Sequence, residues 1–134
     1  MIQFLFAFNS YGLLFLRLAL GAILLVHGAP KFLRLKATAA AFAGMGFRPG
    51  GFWAVVAGAV EVLGGLMIIG GFLTQIAAFI VALQFLVIIF KVKRKNGFKD
   101  GYEFDLLILA GALLLLTSGG GAYSIDEFLD LILY

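Results

Sequence analysis

Four segments of this chain are long and apolar enough to cross a membrane as helices. They cover residues 11–29, 52–69, 72–92 and 102–118, and a membrane-spanning helix needs about 20 mostly apolar residues. Of all residues, 63% are hydrophobic and only 13% are charged, against about 25% charged in soluble domains. We therefore predict one all-α domain over residues 1–134, a bundle of four transmembrane helices within the lipid bilayer.

Glycine and proline mark the ends of these segments. Pro30 follows the first segment, and the glycines at 119–121 stop the fourth. Only the glycine pair at 70–71 separates the second segment from the third, so these two must form a tight antiparallel hairpin. No lysine or arginine precedes Arg17, so we expect the first segment to be retained and not removed as a signal peptide.

The basic residues predict the topology. Nine of the ten fall in the first and third connections: Lys31, Arg34, Lys36, Arg48, Lys91, Lys93, Arg94, Lys95 and Lys99. Because basic loops remain on the cytoplasmic side of a membrane, we predict a multi-pass plasma-membrane protein with these connections in the cytoplasm and both termini outside. The same distribution argues against nucleic acid as a partner, although the net charge is +3.

The first connection has apolar residues at helical spacing. Phe32, Leu35, Ala39 and Phe42 recur three to four positions apart. This pattern indicates a short interfacial helix between the first two spans, lying on the cytoplasmic surface. The alternative is a loop packed against the cytoplasmic mouth of the bundle.

Two ionisable residues lie well inside predicted spans. Arg17 is about two turns into the first span, and Glu61 is near the middle of the second. An unpaired charge there costs at least a few kcal/mol. At 1.5 Å per residue in antiparallel helices, we expect their depths to differ by only about 5 Å and predict an Arg17–Glu61 ion pair. The pair is either structural or part of a polar site that binds a ligand head group or passes a proton.

Small residues accompany both charges. Glycines lie on the same helix face as each of them: Gly21 and Gly28 in the first span, and Gly58, Gly64 and Gly65 in the second. Small residues let neighbouring helix backbones approach closely in a membrane. We therefore expect these two faces to pack against each other.

A second polar cluster is predicted near the cytoplasmic mouth. His27 and Lys31 are four residues apart on one helix face, and Glu103 and Asp105 begin the fourth span from the same side. A histidine beside a carboxylate can donate a proton to a reducible ligand. The alternative is a hydrogen-bonded residue at a helix end, with the two acids favoured there by the helix dipole alone.

Four motifs follow one another along the chain: RLALGAILLVHGAPKF at 17–32, AGAVEVLGGLMIIGGFLT at 57–74, GYEFDLLIL at 101–109 and GGGAYSID at 119–126. Together they resemble the DoxX family of small bacterial and archaeal membrane proteins. The resemblance implies a link to membrane redox complexes, since the family takes its name from a subunit associated with thiosulfate:quinone oxidoreductase. It also identifies the family's recurring polar positions in this chain: Arg17, His27, Lys31, Glu61, Glu103 and Asp126.

Three functions are compatible with these features. The chain has no cysteine and one histidine, so we predict no metal site, and any redox chemistry must come from a bound cofactor or a partner. The leading hypothesis is a small membrane subunit, at most that of a quinone-linked oxidoreductase, which holds a quinone at Arg17–Glu61 or at His27–Glu103. The alternatives are a non-enzymatic scaffold, assembly factor or anchor for partner subunits or a homo-oligomer, and a small-molecule or proton transporter.

Overall fold

A computed structural model describes residues 3–131, and these residues form an all-helical bundle without β-strands. Helices α1 to α6 cover, in order, Asn9–Leu33, Leu35–Gly44, Gly50–Gly70, Thr74–Val87, Glu103–Ser118 and Ile125–Phe128. Within the described residues, four helical stretches are long and apolar enough to cross a membrane. They contain α1, α3, α4 and α5. The predicted four-span helical fold is confirmed.

The first span extends further than predicted. α1 does not stop at Pro30 but continues to Leu33, and the Arg34 backbone N–H donates to the Pro30 carbonyl at 2.9 Å. Proline lacks a backbone N–H and so removes one helical hydrogen bond, a loss that a membrane helix supported by its neighbours tolerates. The added turn carries Lys31 alongside α3.

The connection between α1 and α3 contains the predicted short helix, α2. Its Ala39 and Phe42 are half-buried, whereas Phe32 and Leu35 from the predicted apolar stripe remain exposed. α2 lies directly on the start of α3, because a side chain at Gly50 would meet the α2 backbone at Ala39. This close contact holds α2 across one end of the bundle.

The two ends of the bundle differ in structure. At one end, which we call the hairpin end, Gly71 adopts a left-handed conformation with φ of 68° and lets α3 turn back into α4. At the other, which we call the basic end, lie α2 and the connection from α4 to α5. That connection passes through a π-helical turn at Ile88–Lys93 and a 3-10 turn at Arg94–Asn96. Which side of the membrane each end faces stays a prediction.

The interior of the bundle is filled by apolar side chains from α1, α3, α4 and α5. The largest of these that are almost fully enclosed are Leu24, Ile68, Val81 and Leu115. Many large apolar side chains point outward instead, including Phe15 and Leu107. Such a surface fits lipid as its solvent, since soluble monomers rarely expose large contiguous apolar patches.

Glycines bring α1 and α3 into backbone contact. A Cβ atom on Gly21 would lie 2.7 Å from the carbonyl oxygen of Gly65, and one on Gly28 would lie 2.7 Å from Cβ of Glu61. Real Cβ atoms do not approach other atoms so closely. These contacts fix the register of the two helices, with Gly21 opposite Gly65 and Gly28 opposite Glu61.

The remaining two predicted packing glycines face different neighbours. A Cβ atom on Gly58 would lie 2.9 Å from the ring of Phe32, at the α1 side of α3. Gly64 faces α4 instead, where a Cβ atom would lie 3.0 Å from the side chain of Val81. α3 therefore packs closely on two helices through different glycines.

We predict that Gly21→Ala destabilises the bundle, whereas Gly12→Ala in the same helix does not. A methyl group at Gly21 meets the Gly65 backbone, while a Cβ atom on Gly12 would have no neighbour within 4 Å. Overpacking of this kind costs about 1–3 kcal/mol. Thermal unfolding in detergent, followed by helical circular dichroism, measures the difference. Equal unfolding temperatures for the two variants would contradict the proposed register.

Candidate functional site

Arg17 and Glu61 do not form the predicted ion pair. The contact of Gly21 with Gly65 places Arg17 opposite the end of α3, about eight residues beyond Glu61. At 1.5 Å per residue, this is roughly 12 Å along the helix axis. The predicted depth difference was too small because α1 extends further at the basic end than expected. Arg17 and Glu61 therefore belong to different ends of the bundle.

Arg17 binds backbone carbonyl groups at the hairpin end. Its side chain is 1% exposed. The guanidinium group donates to four carbonyl oxygens, at distances of 2.7–3.0 Å: those of Ile68, Ile69, Gly120 and Tyr123. Two of these are at the end of α3, where unpaired carbonyls and the helix dipole favour a cation. Arg17 thus connects α1, α3 and the C-terminal segment.

Asp126 completes this arrangement from the C-terminal segment. Its carboxylate accepts hydrogen bonds from the backbone N–H groups of Leu73 at 2.6 Å and Thr74 at 2.8 Å. These groups begin α4, so Asp126 caps that helix as an N-cap residue would. The backbone N–H of Asp126 also donates to the Gly71 carbonyl at 2.9 Å. We call Arg17, Asp126 and their backbone partners the hairpin-end clasp.

A cavity lies at the basic end. It has a volume of about 500 Å³ and is lined by residues of α1 to α5 and of the connections after α2 and α4. Most of the lining is apolar, and it includes five aromatic residues: Phe42, Phe47, Trp53, Phe85 and Phe104. Six polar residues contribute as well: His27, Lys31, Glu61, Gln84, Lys93 and Asp105.

Glu61 is the most deeply placed acid of this cavity, at 3% exposure. Its Oε2 atom forms an ion pair with Nζ of Lys31 at 2.5 Å, and its Oε1 accepts a hydrogen bond from the Gln84 amide at 2.9 Å. Lys31 also donates to the backbone carbonyl of His27 at 2.9 Å. The partner of Glu61 is therefore the lysine carried by the last turn of α1, and the group joins three helices.

A second ion pair lines the same cavity. Nζ of Lys93, at the end of the π-helical turn, lies 2.7 Å from the buried carboxylate of Asp105 in α5. Each acid in the cavity is thus matched by a lysine. The lysines and the Gln84 amide supply hydrogen-bond donors to the cavity wall.

The predicted pairing of His27 with Glu103 is wrong. Glu103 is exposed, does not line the cavity, and accepts a hydrogen bond from the Asp100 backbone at 3.0 Å. His27 does line the cavity, but its ring lies beside Phe104, with centroids 5.8 Å apart. Two residues along an α-helix point about 200° apart, so only Asp105 of the two acids can face inward.

Aromatic side chains cover the cavity at the basic end. Phe47 lies 5.8 Å from Phe42 and 6.2 Å from Trp53 between ring centroids. Nζ of Lys91 lies 4.6 Å from the centre of the Phe47 ring, within cation–π range. We call Phe42, Phe47 and Trp53 the aromatic lid. Sequence reasoning missed it, because nothing in the spacing of these residues shows that they meet.

Comparison with known proteins identifies relatives of similar length. A family model described as DoxX matches residues 12–94. A Bacillus subtilis (strain 168) protein named "Putative oxidoreductase CatD" is 34% identical over 117 residues, which cover 87% of this chain and 86% of that protein. A Haemophilus influenzae protein named "Uncharacterized protein" is 30% identical over 126 residues, 90% of this chain and 92% of that protein. No solved structure gives a significant match.

We predict that Arg17→Met lowers the free energy of unfolding by about 3 kcal/mol or more, since it leaves four carbonyls at the hairpin end without their charged donor. Arg34→Met is the matched control, because Arg34 is exposed. Arg17→Lys should recover only part of the loss, as an ammonium group cannot reach all four carbonyls. Chemical denaturation in detergent measures all three variants. Equal losses for Arg17→Met and Arg34→Met would show that the clasp does not hold these segments together.

Proposed function

This chain belongs to the DoxX family, and we propose that it is a small membrane subunit of a redox system that binds a quinone in the cavity at the basic end. The observation that carries this proposal is the buried group of Glu61, Lys31 and Gln84 on the wall of an otherwise apolar cavity. The name of the Bacillus subtilis relative, "Putative oxidoreductase CatD", supports the redox class.

The cavity fits a quinone in size and in chemistry. Ligand sites have volumes of about 300–1,000 Å³ and combine apolar walls with a few polar groups, and this cavity of about 500 Å³ does so. A quinone presents a flat apolar ring with two carbonyl acceptors. Aromatic residues of the lining suit the ring, while the Lys31 ammonium and the Gln84 amide can donate to one carbonyl. Lys93, on another wall of the cavity, offers a further donor.

The chain's own residues would handle protons and leave electrons to a partner. Reduction of a quinone to a quinol takes two electrons and two protons. The electrons would come from a bound cofactor or from a partner subunit. Glu61 can hold a proton next to the bound carbonyl, and His27, which also lines the cavity, can supply a second proton.

Binding at one end is better supported than passage across the membrane. Beyond Glu61, the interior toward the hairpin end is filled by buried side chains such as Leu20, Leu24 and Ile68. The hairpin-end clasp then ties α3 and α4 to the C-terminal segment. The polar cavity therefore does not continue toward the hairpin end in residues 3–131.

The basic end is the proposed cytoplasmic side of the plasma membrane. Basic residues in connecting loops favour this orientation, and it places the basic-end cavity on the same side as the basic residues of the loops. A cytoplasmic electron donor with an acidic surface would be attracted to that end. This orientation puts both termini outside the cell.

We predict that Glu61→Gln weakens quinone binding about 10-fold, a loss of about 1.4 kcal/mol, whereas Glu103→Gln has no effect. Both substitutions replace a carboxylate by an amide, but only Glu61 lines the cavity. Trp53 is the single tryptophan of the chain and also lines the cavity. Quenching of its fluorescence by added quinone therefore measures binding directly.

Two outcomes would count against the proposal. Non-saturable quenching in the unmodified protein would mean that the quinone only dissolves in the detergent. Equal affinities for the Glu61→Gln and Glu103→Gln variants would mean that it binds outside the cavity. Co-purification of protein partners without bound quinone would favour the scaffold function instead.

A further inference from the structure

α3 and α4 are closely packed toward the hairpin end, and toward the basic end the cavity lies between them. Near the hairpin, a Cβ atom on Gly64 would lie 3.0 Å from Val81. One turn further, the Gln84 amide still reaches Glu61 at 2.9 Å. The register of the hairpin would next bring Ala57 of α3 opposite the residues that follow Val87, and side chains of both helices line the cavity here. The cavity thus lies between the two helices where their direct contact ends.

The residues that border this gap face both the cavity and the membrane. Leu83 and Val87 line the cavity, yet they remain 47% and 46% exposed on the outer surface of α4. Trp53 of α3 also lines the cavity and is 40% exposed on the outer surface. All three side chains are apolar or aromatic. The cavity therefore borders the outer surface of the bundle along the line between α3 and α4.

Side-chain contacts cross two other sides of the cavity. At the basic end, the aromatic lid is held in place by Lys91 above Phe47. On the α5 side, the ion pair between Lys93 and Asp105 joins the connection after α4 to α5. The gap between α3 and α4, in contrast, is crossed by no hydrogen bond or ion pair between these helices beyond Gln84 within residues 3–131.

We propose that the ligand of this cavity is a membrane-dissolved molecule with a polar head and a long apolar tail, which enters sideways between α3 and α4 and leaves its tail in the gap. We call this opening the lateral portal, and it is bordered by Trp53, Leu83 and Val87. That the head is a quinone rests on the function proposed above. The portal itself rests only on the position of the cavity between the two helices and the apolar residues along it.

A tail in the portal remains in contact with lipid. The tail is shielded from water both in the bilayer core and in the apolar gap. Moving it from one to the other should therefore add little binding affinity. A portal instead makes binding tolerant of the tail. Narrowing it should exclude long-tailed ligands selectively, while a ligand without a tail still fits the cavity.

The test compares Val87→Phe with Leu86→Phe in lipid nanodiscs. Both residues are exposed on adjacent positions of α4, but only Val87 lines the cavity. Quenching of Trp53 is titrated with a methyl-substituted benzoquinone and with the same ring carrying a ten-carbon alkyl chain. In the unmodified protein both should bind. Val87→Phe should weaken binding of the long-tailed ligand at least 10-fold and that of the short one less than 2-fold, whereas Leu86→Phe should change neither.

A ten-carbon alcohol brominated at the chain end tests the portal without a quinone, since bromine also quenches tryptophan. The portal would be supported by saturable quenching that is reduced by Val87→Phe and not by Leu86→Phe. If this occurs although no quinone binds, only the quinone assignment is overturned. Binding of the short quinone but not the long one to the unmodified protein would overturn the portal. So would equal effects of the two phenylalanine variants, or the absence of saturable quenching by every probe.

Discussion

The backbone contact of α1 with α3 decides where each buried charge of these helices finds its partner. With Gly21 against Gly65, Arg17 faces the carbonyls at the end of α3. Lys31 faces Glu61, about two helical turns nearer the basic end. Because an unpaired charge is costly within a membrane, a shift of one turn would deprive both basic residues of their partners. The glycines thus set a register that the two charges then stabilise.

This register separates a structural end from a functional end. Every acceptor of Arg17 is a backbone carbonyl, so the guanidinium group of the hairpin-end clasp joins segments of the chain. Glu61, in contrast, lies on the wall of a cavity. The clasp holds α3 and α4 together at one end, and the same helices can then diverge at the other around the cavity. The fixed helix contacts at the hairpin end therefore allow a ligand cavity between the same helices at the basic end.

Much of the fold could be predicted from the sequence, because span length, glycines and basic loops are local signals. The Arg17–Glu61 pair could not, since helix depth depends on span boundaries and α1 continues one turn past Pro30. The choice between Glu103 and Asp105 depends on the rotation of α5, which its apolar residues leave undefined because they surround the helix. Contacts of the aromatic lid need tertiary placement of α2, and no local pattern provides it.

A quinone is proposed to occupy the basic-end cavity beside Glu61. Photoaffinity labelling with an azido-quinone in native membranes, followed by peptide mapping, tests it most directly. Labelled peptides should come from the start of α3 and the second half of α4, around Trp53 and Gln84, and an excess of unlabelled quinone should suppress them. Label confined to the hairpin end, or spread over the lipid-facing surface without competition, would contradict the claim.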